Sequence, residues 1–198
     1  MTLFRDALER FGDRYRRAAD CSLNEPSAMT LSTVDADGCP SARVVLLKGF
    51  DERGFVFYTN TLSRKGRALS ADPRAALCFF WDPLMEQVRI EGTVDTVSDA
   101  TADAYWQSRH PDSRIGAWAS KQSEPLESRR ALEDRIEAFA TRFEEEGDIP
   151  RPAHWSGYRL LPDRIEFWRS LPNRLHERVL YRRDATAPGG WSMGLLNP

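Results

Sequence analysis

A mainly β fold with flanking helices, closed as an antiparallel barrel or sandwich, is what the sequence predicts, on three grounds. The apolar spacing switches from helical to alternating at Ala28. β-Branched and aromatic runs then crowd the stretch up to Val97, and turn residues separate those runs at short intervals. With 198 residues, 41% hydrophobic and 29% charged, the chain is long enough for one domain with a substantial core.

Leu3, Phe4, Leu8, Phe11 and Tyr15 recur at helical spacing among Arg, Asp and Glu, which predicts an amphipathic opening helix of roughly four turns. Runs of strand character follow: AMTLSTVD, SARVVLLKGF, GFVFYTN, AALCFFW and EQVRIEGTVDTV. Between them DADG, DERG and ADP supply turn residues for hairpin-like connections. SRKGRALSADP is too polar for a core strand and is expected as a short helix with Ser63 at its N-cap. DATADAYWQSR reads as a second helical piece. LESRRALEDRIEAFATRFEEEG reads as a third, with Leu132, Ile136, Phe139 and Phe143 on one face and Gly147 at its end. Beyond the DIPRPAHW loop, SGYRLLPDRIEFWRS, ERVLYRRD and GGWSMGLLNP return to strand character. No internal repeat, low-complexity tract or flexible linker interrupts the chain, so residues 1–198 are expected to form a single domain.

Net charge is only −2, which gives no support to general polyanion or nucleic-acid binding. Cys21, Cys39 and Cys78 are odd in number and widely spaced, without a CxxC or a close His pair, and read as reduced thiols rather than a disulfide framework or a zinc site. No apolar run approaches the roughly 18 residues of a membrane span, and MTLFRDALERF carries acids where a secretion signal would be apolar. A cytoplasmic protein that binds no membrane and no metal is expected.

The charges are local devices. Arg43 and Lys48 bracket four apolar residues; five apart on one strand, they would leave opposite faces. Ser63, Arg64, Lys65 and Arg67 sit at a helix start, where free N–H groups favour an anion, although a solvated helix end has the same composition. Lys121 to Ser123 read as a polar loop ahead of a helix. In FWRSLPNRLHERVLYRR, Arg174, His176 and Arg178 are spaced by two, so on a strand they would share one face while Leu175, Glu177 and Val179 pack behind them. No G-x-S-x-G, Walker loop, Rossmann glycine pattern or metal-ligand cluster is present. Anion binding on a β scaffold is what remains.

SARVVLLK, GFVFYTN, SRKGR, EQVRIEG, DSRIGAWASKQS and IEFWRSLPNRLHERVLY, in this order, resemble the pyridoxamine 5′-phosphate oxidases from about Leu3 to Tyr181. The resemblance implies an FMN-binding split β-barrel, working as a homodimer with each flavin at the subunit interface. It implies oxidation of pyridoxamine or pyridoxine 5′-phosphate to pyridoxal 5′-phosphate, with the C4′ hydride going to flavin N5 and dioxygen leaving as hydrogen peroxide. For the flavin it implies the segment Arg43, Val44, Val45, Leu46, Leu47 and Lys48, then Tyr58 and Thr59, with Arg64 and Lys65 at the phosphate. Gln87, Gln122, Ser123, Trp168 and Arg178 complete that set. For the substrate it implies Lys48, Tyr105, Arg109 and Ser113, with Arg174, Leu175 and His176 from the C-terminal strands (about residues 155–198). Arg174 and His176 stand at the reacting end as the implied catalytic pair. A sibling branch acts in phenazine biosynthesis on the same scaffold, and a non-catalytic carrier of FMN or pyridoxal phosphate is a third reading. The lysine of LLK and the segment DSRIGAW favour the vitamin oxidase. Two features depart from the family: the chain begins almost at the first helix, and Leu195 stands where a terminal arginine usually falls.

Overall fold

The computed structural model describes residues 2–198. Helix α1 (Leu3–Ala19) opens on Thr2, whose hydroxyl accepts from the Arg5 N–H at 3.3 Å. Its buried residues Ala7, Leu8, Phe11 and Ala18 follow the helical period, so one stripe faces the sheet. The Phe11 ring meets Phe50, Phe55 and Phe79 edge-on with centroids 4.8, 5.0 and 5.2 Å away. Each such fully buried ring contributes about 1.5–3 kcal/mol through removal from water, which seats α1 on the barrel as a lid over its core.

Nine strands form one antiparallel sheet: β1 (Ala28–Val34), β2 (Pro40–Leu46), β3 (Gly49–Asp51), β4 (Gly54–Asn60), β5 (Arg74–Trp81), β6 (Glu86–Thr96), β7 (Trp155–Arg169), β8 (Glu177–Arg183) and β9 (Trp191–Leu195). The spatial order is β2-β1-β5-β6-β7-β4-β3, with β8 joined to β7 and β9 to β8. Alternation is regular where one face is buried: Met29, Leu31 and Thr33 on β1, and Ala75, Leu77, Phe79 and Trp81 on β5, point inward. β6 covers one edge of β7. The other edge is shared, β4 pairing with Trp155–Leu160 and β8 with Arg164–Arg169. The sheet divides at Pro162, which has no N–H to give to a ladder. Opposite it β6 carries a register shift at Gly92, where a Cβ would stand 2.0 Å from the Leu161 carbonyl oxygen.

Four further helices flank the sheet: α2 (Arg64–Ala71), α3 (Asp99–Gln107), α4 (Pro111–Ala119) and α5 (Arg129–Glu146). Ser63 caps α2, accepting from the Gly66 N–H, and Gly147 ends α5 in the left-handed region at φ 72°. Trp106, Phe143, Ile149 and Trp155 form a second, smaller core that ties α3 and α5 to the start of β7. Trp106 Nε1 donates to the Ile149 carbonyl at 2.8 Å, so its polar edge is satisfied there.

Several expectations change. SARVVLLKGF is two strands, because the chain turns at Leu47 and Lys48 between β2 and β3, so strand alternation does not relate Arg43 to Lys48. DSRIGAWA is helical, with Pro111 preset for the first turn and the His110 ring accepting from the Asp112 N–H. Arg174 lies in a 3-10 turn (Pro172–Arg174) and His176 in the bend that follows, whereas β8 starts at Glu177. Asn173 and Arg174 have φ of 58° and 61°; this left-handed pair breaks the extended run and removes the shared strand face. On α5 the predicted face is only partly used: Phe143 is buried, and Ile136 is exposed.

Candidate active site

A cleft of about 410 Å³ opens where β2, β4, α4 and the start of β7 converge. Val44, Val45 and Leu46 of β2 and Lys48 form one side, and Tyr58, Thr59 and Asn60 of β4 another. Tyr105 and Arg109 come from the α3 end, and Ser113, Gly116, Ala117 and Ser120 from one face of α4. Spacings of three and four put those α4 residues in line, and Ser113 and Ser120 are about 10 Å apart along the axis.

The cations here lack anionic partners. Lys65 reaches into the cleft from the first turn of α2, and its Nζ donates to Gln122 Oε1 (2.9 Å), Thr59 Oγ1 (3.1 Å) and Ser63 Oγ (3.3 Å). All three acceptors are neutral. Burial, and secondly the Arg43 guanidinium, push the Lys65 ammonium below its usual pKa range. Arg109 lies over the Trp155 and Trp106 rings at 4.8 and 5.2 Å, and its Nη1 is buried without an acceptor. Burial lowers its pKa as well. A phosphate would supply what both cations lack.

Tyr58, Tyr105 and Trp155 make the apolar wall. Their rings are nearly parallel, Tyr58 lying 4.0 Å from Tyr105 and 5.2 Å from Trp155 between centroids. Stacked π surface next to fixed positive charge suits a planar, phosphorylated heterocycle.

A second group assembles at the far end of β7. Gln87, Trp168 and Arg178 are direct neighbours across β6, β7 and β8. The His176 ring packs on Trp168 at 4.7 Å, and its Nδ1 accepts from the Leu171 N–H, which leaves the proton of the neutral ring on Nε2. Arg178 Nε donates to the buried Glu166 at 2.8 Å, and its Nη1 to the Asn197 carbonyl at 3.0 Å. The Glu166 contact raises the Arg178 pKa, so the guanidinium is fixed and charged.

The cleft therefore gathers Val44, Val45, Leu46, Lys48, Tyr58, Thr59, Lys65, Gln122, Tyr105, Arg109 and Ser113 from the sequence-derived set. It does not gather Gln87, Trp168, Arg174, Leu175, His176 or Arg178. Four more stand outside its lining. Arg43 is spent on the Leu31 carbonyl, Thr33 and Ser41. Leu47 is buried in the core. Arg64 pairs with Asp35 at 2.6 Å, and Ser123 sits in a left-handed turn at φ 74°. Asn60, Gly116, Ala117, Ser120 and Trp155 were missed; a helical reading of DSRIGAWAS would have lined up the three from α4 and its cap with Ser113.

Fold and site together define a split β-barrel protein with flanking helices and a cleft built for a planar, phosphorylated ligand. Residues 16–143 match the family model described as pyridoxamine 5′-phosphate oxidase, and residues 155–198 match the pyridoxine 5′-phosphate oxidase C-terminal dimerisation region. The chain belongs to the pyridoxamine 5′-phosphate oxidase family. It is 56% identical to a pyridoxine/pyridoxamine 5′-phosphate oxidase of Alkalilimnicola ehrlichii over the whole of both chains. It is 53% identical to one of Myxococcus xanthus, covering 98% of this chain and 92% of that one. Among solved structures it is similar to PhzG of Burkholderia lata, crystallised with tetrahydrophenazine-1-carboxylic acid, at 32% identity and a TM-score of 0.86 over 96% of this chain and 90% of that one. An FMN-binding protein of Nostoc punctiforme, at 22% identity and a TM-score of 0.74, covers all of this chain and 99% of its own and shares the fold.

Proposed function

We propose that the protein oxidises pyridoxamine 5′-phosphate and pyridoxine 5′-phosphate to pyridoxal 5′-phosphate with FMN, as a homodimer. The observation that carries the reading is the pairing of two anion-seeking cations, Lys65 and Arg109, with one stacked aromatic wall in a single cleft. One cofactor phosphate and one substrate phosphate account for both. FMN held by Lys65, Thr59 and Gln122 would supply the redox chemistry, accepting two electrons from the substrate and being reoxidised by dioxygen to give hydrogen peroxide.

The chain's own residues supply placement and field. Lys65, held by Thr59, Ser63 and Gln122, grips the flavin phosphate at the N-terminus of α2, whose free N–H groups add to the attraction. Arg109 and Ser113 hold the substrate phosphate, which fixes the ring against the Tyr58–Tyr105 wall. Arg174 and His176, the latter packed on Trp168, orient the reacting end, the His176 Nε2–H serving as donor. The apolar rim excludes water and strengthens each charged contact.

Pairing of two copies is supported by the match to a dimerisation region and by apolar side chains left in water at both groups, Val44 at 66% and Leu175 at 65% exposure. The test is anaerobic mixing of the FMN-loaded protein with pyridoxamine 5′-phosphate. Bleaching of the flavin, and its return with hydrogen peroxide once air is admitted, is the expected result. A flavin that stays yellow refutes the reaction. Bleaching by a reduced phenazine precursor instead assigns the protein to the activity of its PhzG-like neighbour.

A further inference from the structure

Three glycines lie inside α-helices among the described residues: Gly12, Gly66 and Gly116. Glycine is a poorer helix former than alanine, so each position needs a reason. At Gly66 the protein supplies it, because a Cβ would stand 2.2 Å from the Thr61 carbonyl oxygen. At Gly12 a Cβ would meet the Phe50 ring and Arg16 at 3.4 Å, the closeness of packed helix against core. Gly116 differs from both: a Cβ there would find nothing within 4 Å, and no left-handed backbone demands glycine. The open space beside Gly116 belongs to the cleft, which it lines with Ser113, Ala117 and Ser120.

We infer that Gly116 is a specificity-determining residue, whose missing side chain leaves room for the pyridine ring of the phosphorylated substrate. The inference rests on the reaction proposed above. Ser113 precedes Gly116 by one turn on the same wall, about 5.4 Å. A pyridine ring joined to its phosphate through one methylene and one ester oxygen falls about that far along when the phosphate is held at Arg109 and Ser113. The helix gives up stability at this position in exchange for a flat floor under the ring, and a single methyl would occupy that floor.

Gly116→Ala in the FMN-loaded protein is the test, with four readings: Tm, FMN affinity, pyridoxal 5′-phosphate affinity by difference absorbance, and KM for pyridoxamine 5′-phosphate. Alanine improves the helix, so Tm rises by about 2–4 °C. Overpacking the ring site raises both the pyridoxal 5′-phosphate Kd and the KM by roughly 5- to 150-fold, and FMN affinity is unchanged. Unchanged pyridoxal 5′-phosphate affinity overturns the inference, as does a fall in Tm, which would make Gly116 a packing residue, or a loss of FMN in place of substrate. Wild-type protein that neither binds pyridoxal 5′-phosphate nor turns over pyridoxamine 5′-phosphate overturns the proposed reaction itself. Wild-type binding matched by the variant removes Gly116 alone.

Discussion

Two inactive variants should repair each other if one flavin site is built from two chains. Lys65 lies in the cleft beside Trp155, at the start of β7, while Arg178 pairs with Trp168 near its end. The interval from Trp155 to Trp168 is 13 residues, which at about 3.3 Å per residue is roughly 40 Å of strand. That contour length exceeds the span of one flavin nucleotide, and on the proposed reading the two groups of one chain serve different sites, which a two-fold pair of chains would complete. Lys65→Met removes one charged contact at the flavin phosphate and Arg178→Ala one elsewhere on the flavin, each worth about 1.5–3 kcal/mol or roughly 10- to 150-fold in FMN affinity. In a mixed dimer carrying one variant chain of each kind, one site collects both defects and the other collects none. Random pairing makes about half of the dimers mixed, so about one quarter of all sites are intact. Co-expression, followed by FMN titration at a concentration that leaves each variant alone largely empty, should therefore recover about a quarter of wild-type occupancy and turnover. No recovery above the two variants measured singly would place both residues at the same site on one chain and refute the geometry.

Lys65→Met alone should leave Tm within a few degrees of wild type, because Thr59, Ser63 and Gln122 keep other hydrogen bonds when the ammonium is removed; a large fall in Tm would make Lys65 structural. FMN affinity should be greatest below the depressed Lys65 pKa of the free protein and should fall as pH rises through it, before the ordinary value of 10.5 is reached; Lys65→Arg should move that loss to higher pH, and a flat profile for both would remove the ammonium from the phosphate site. Arg109→Met should raise the KM for pyridoxamine 5′-phosphate by roughly 10- to 150-fold while FMN stays bound, and unchanged kinetics would place the substrate phosphate elsewhere. Glu166→Ala should strand Arg178 beside a lost carboxylate, which is only 6% exposed and sits 2.8 Å from Arg178, while Arg89 keeps Glu91; at about 3 kcal/mol the expected fall in Tm is roughly 6–12 °C, with weaker FMN binding, and intact Tm and flavin affinity would refute its role in holding Arg178.

Much of the fold was legible because its signals are local. The stripe through Leu8 and Phe11, the alternation in AMTLSTV and AALCFFW, and the Ser63 cap each announce an element without help from the rest of the chain. The errors fell where nothing local decides. RVVLLKGF carries no Gly or Pro between Leu46 and Lys48, so the break between β2 and β3 comes from Lys48 N–H pairing with the Val56 carbonyl and Leu47 N–H with that of Ser27. Helix α4 hides behind Gly116 and Ser113, both poor helix formers, and its support comes from packing against α5. The left-handed pair at Asn173 and Arg174 cannot be read from side-chain spacing, which is why three residues at a period of two looked like one strand face.

The candidate site residues came from a different source, the charged segments and the family resemblance, and an arginine in the sequence does not disclose whether the fold has already given it a partner. Arg43 is bound by a carbonyl and two hydroxyls, and Arg64 by Asp35, while Lys65 meets only neutral oxygens and Arg109 leaves Nη1 with none. Buried polar groups are nearly always satisfied in a finished structure. Arg109 Nη1 is the orphan inside the cleft that a phosphate would satisfy on the proposed reading, whereas Lys65 is marked by its place in the cleft rather than by a missing hydrogen bond. On the same reading Gly116 lines that cleft with empty volume beside it, which a ligand rather than a side chain would fill.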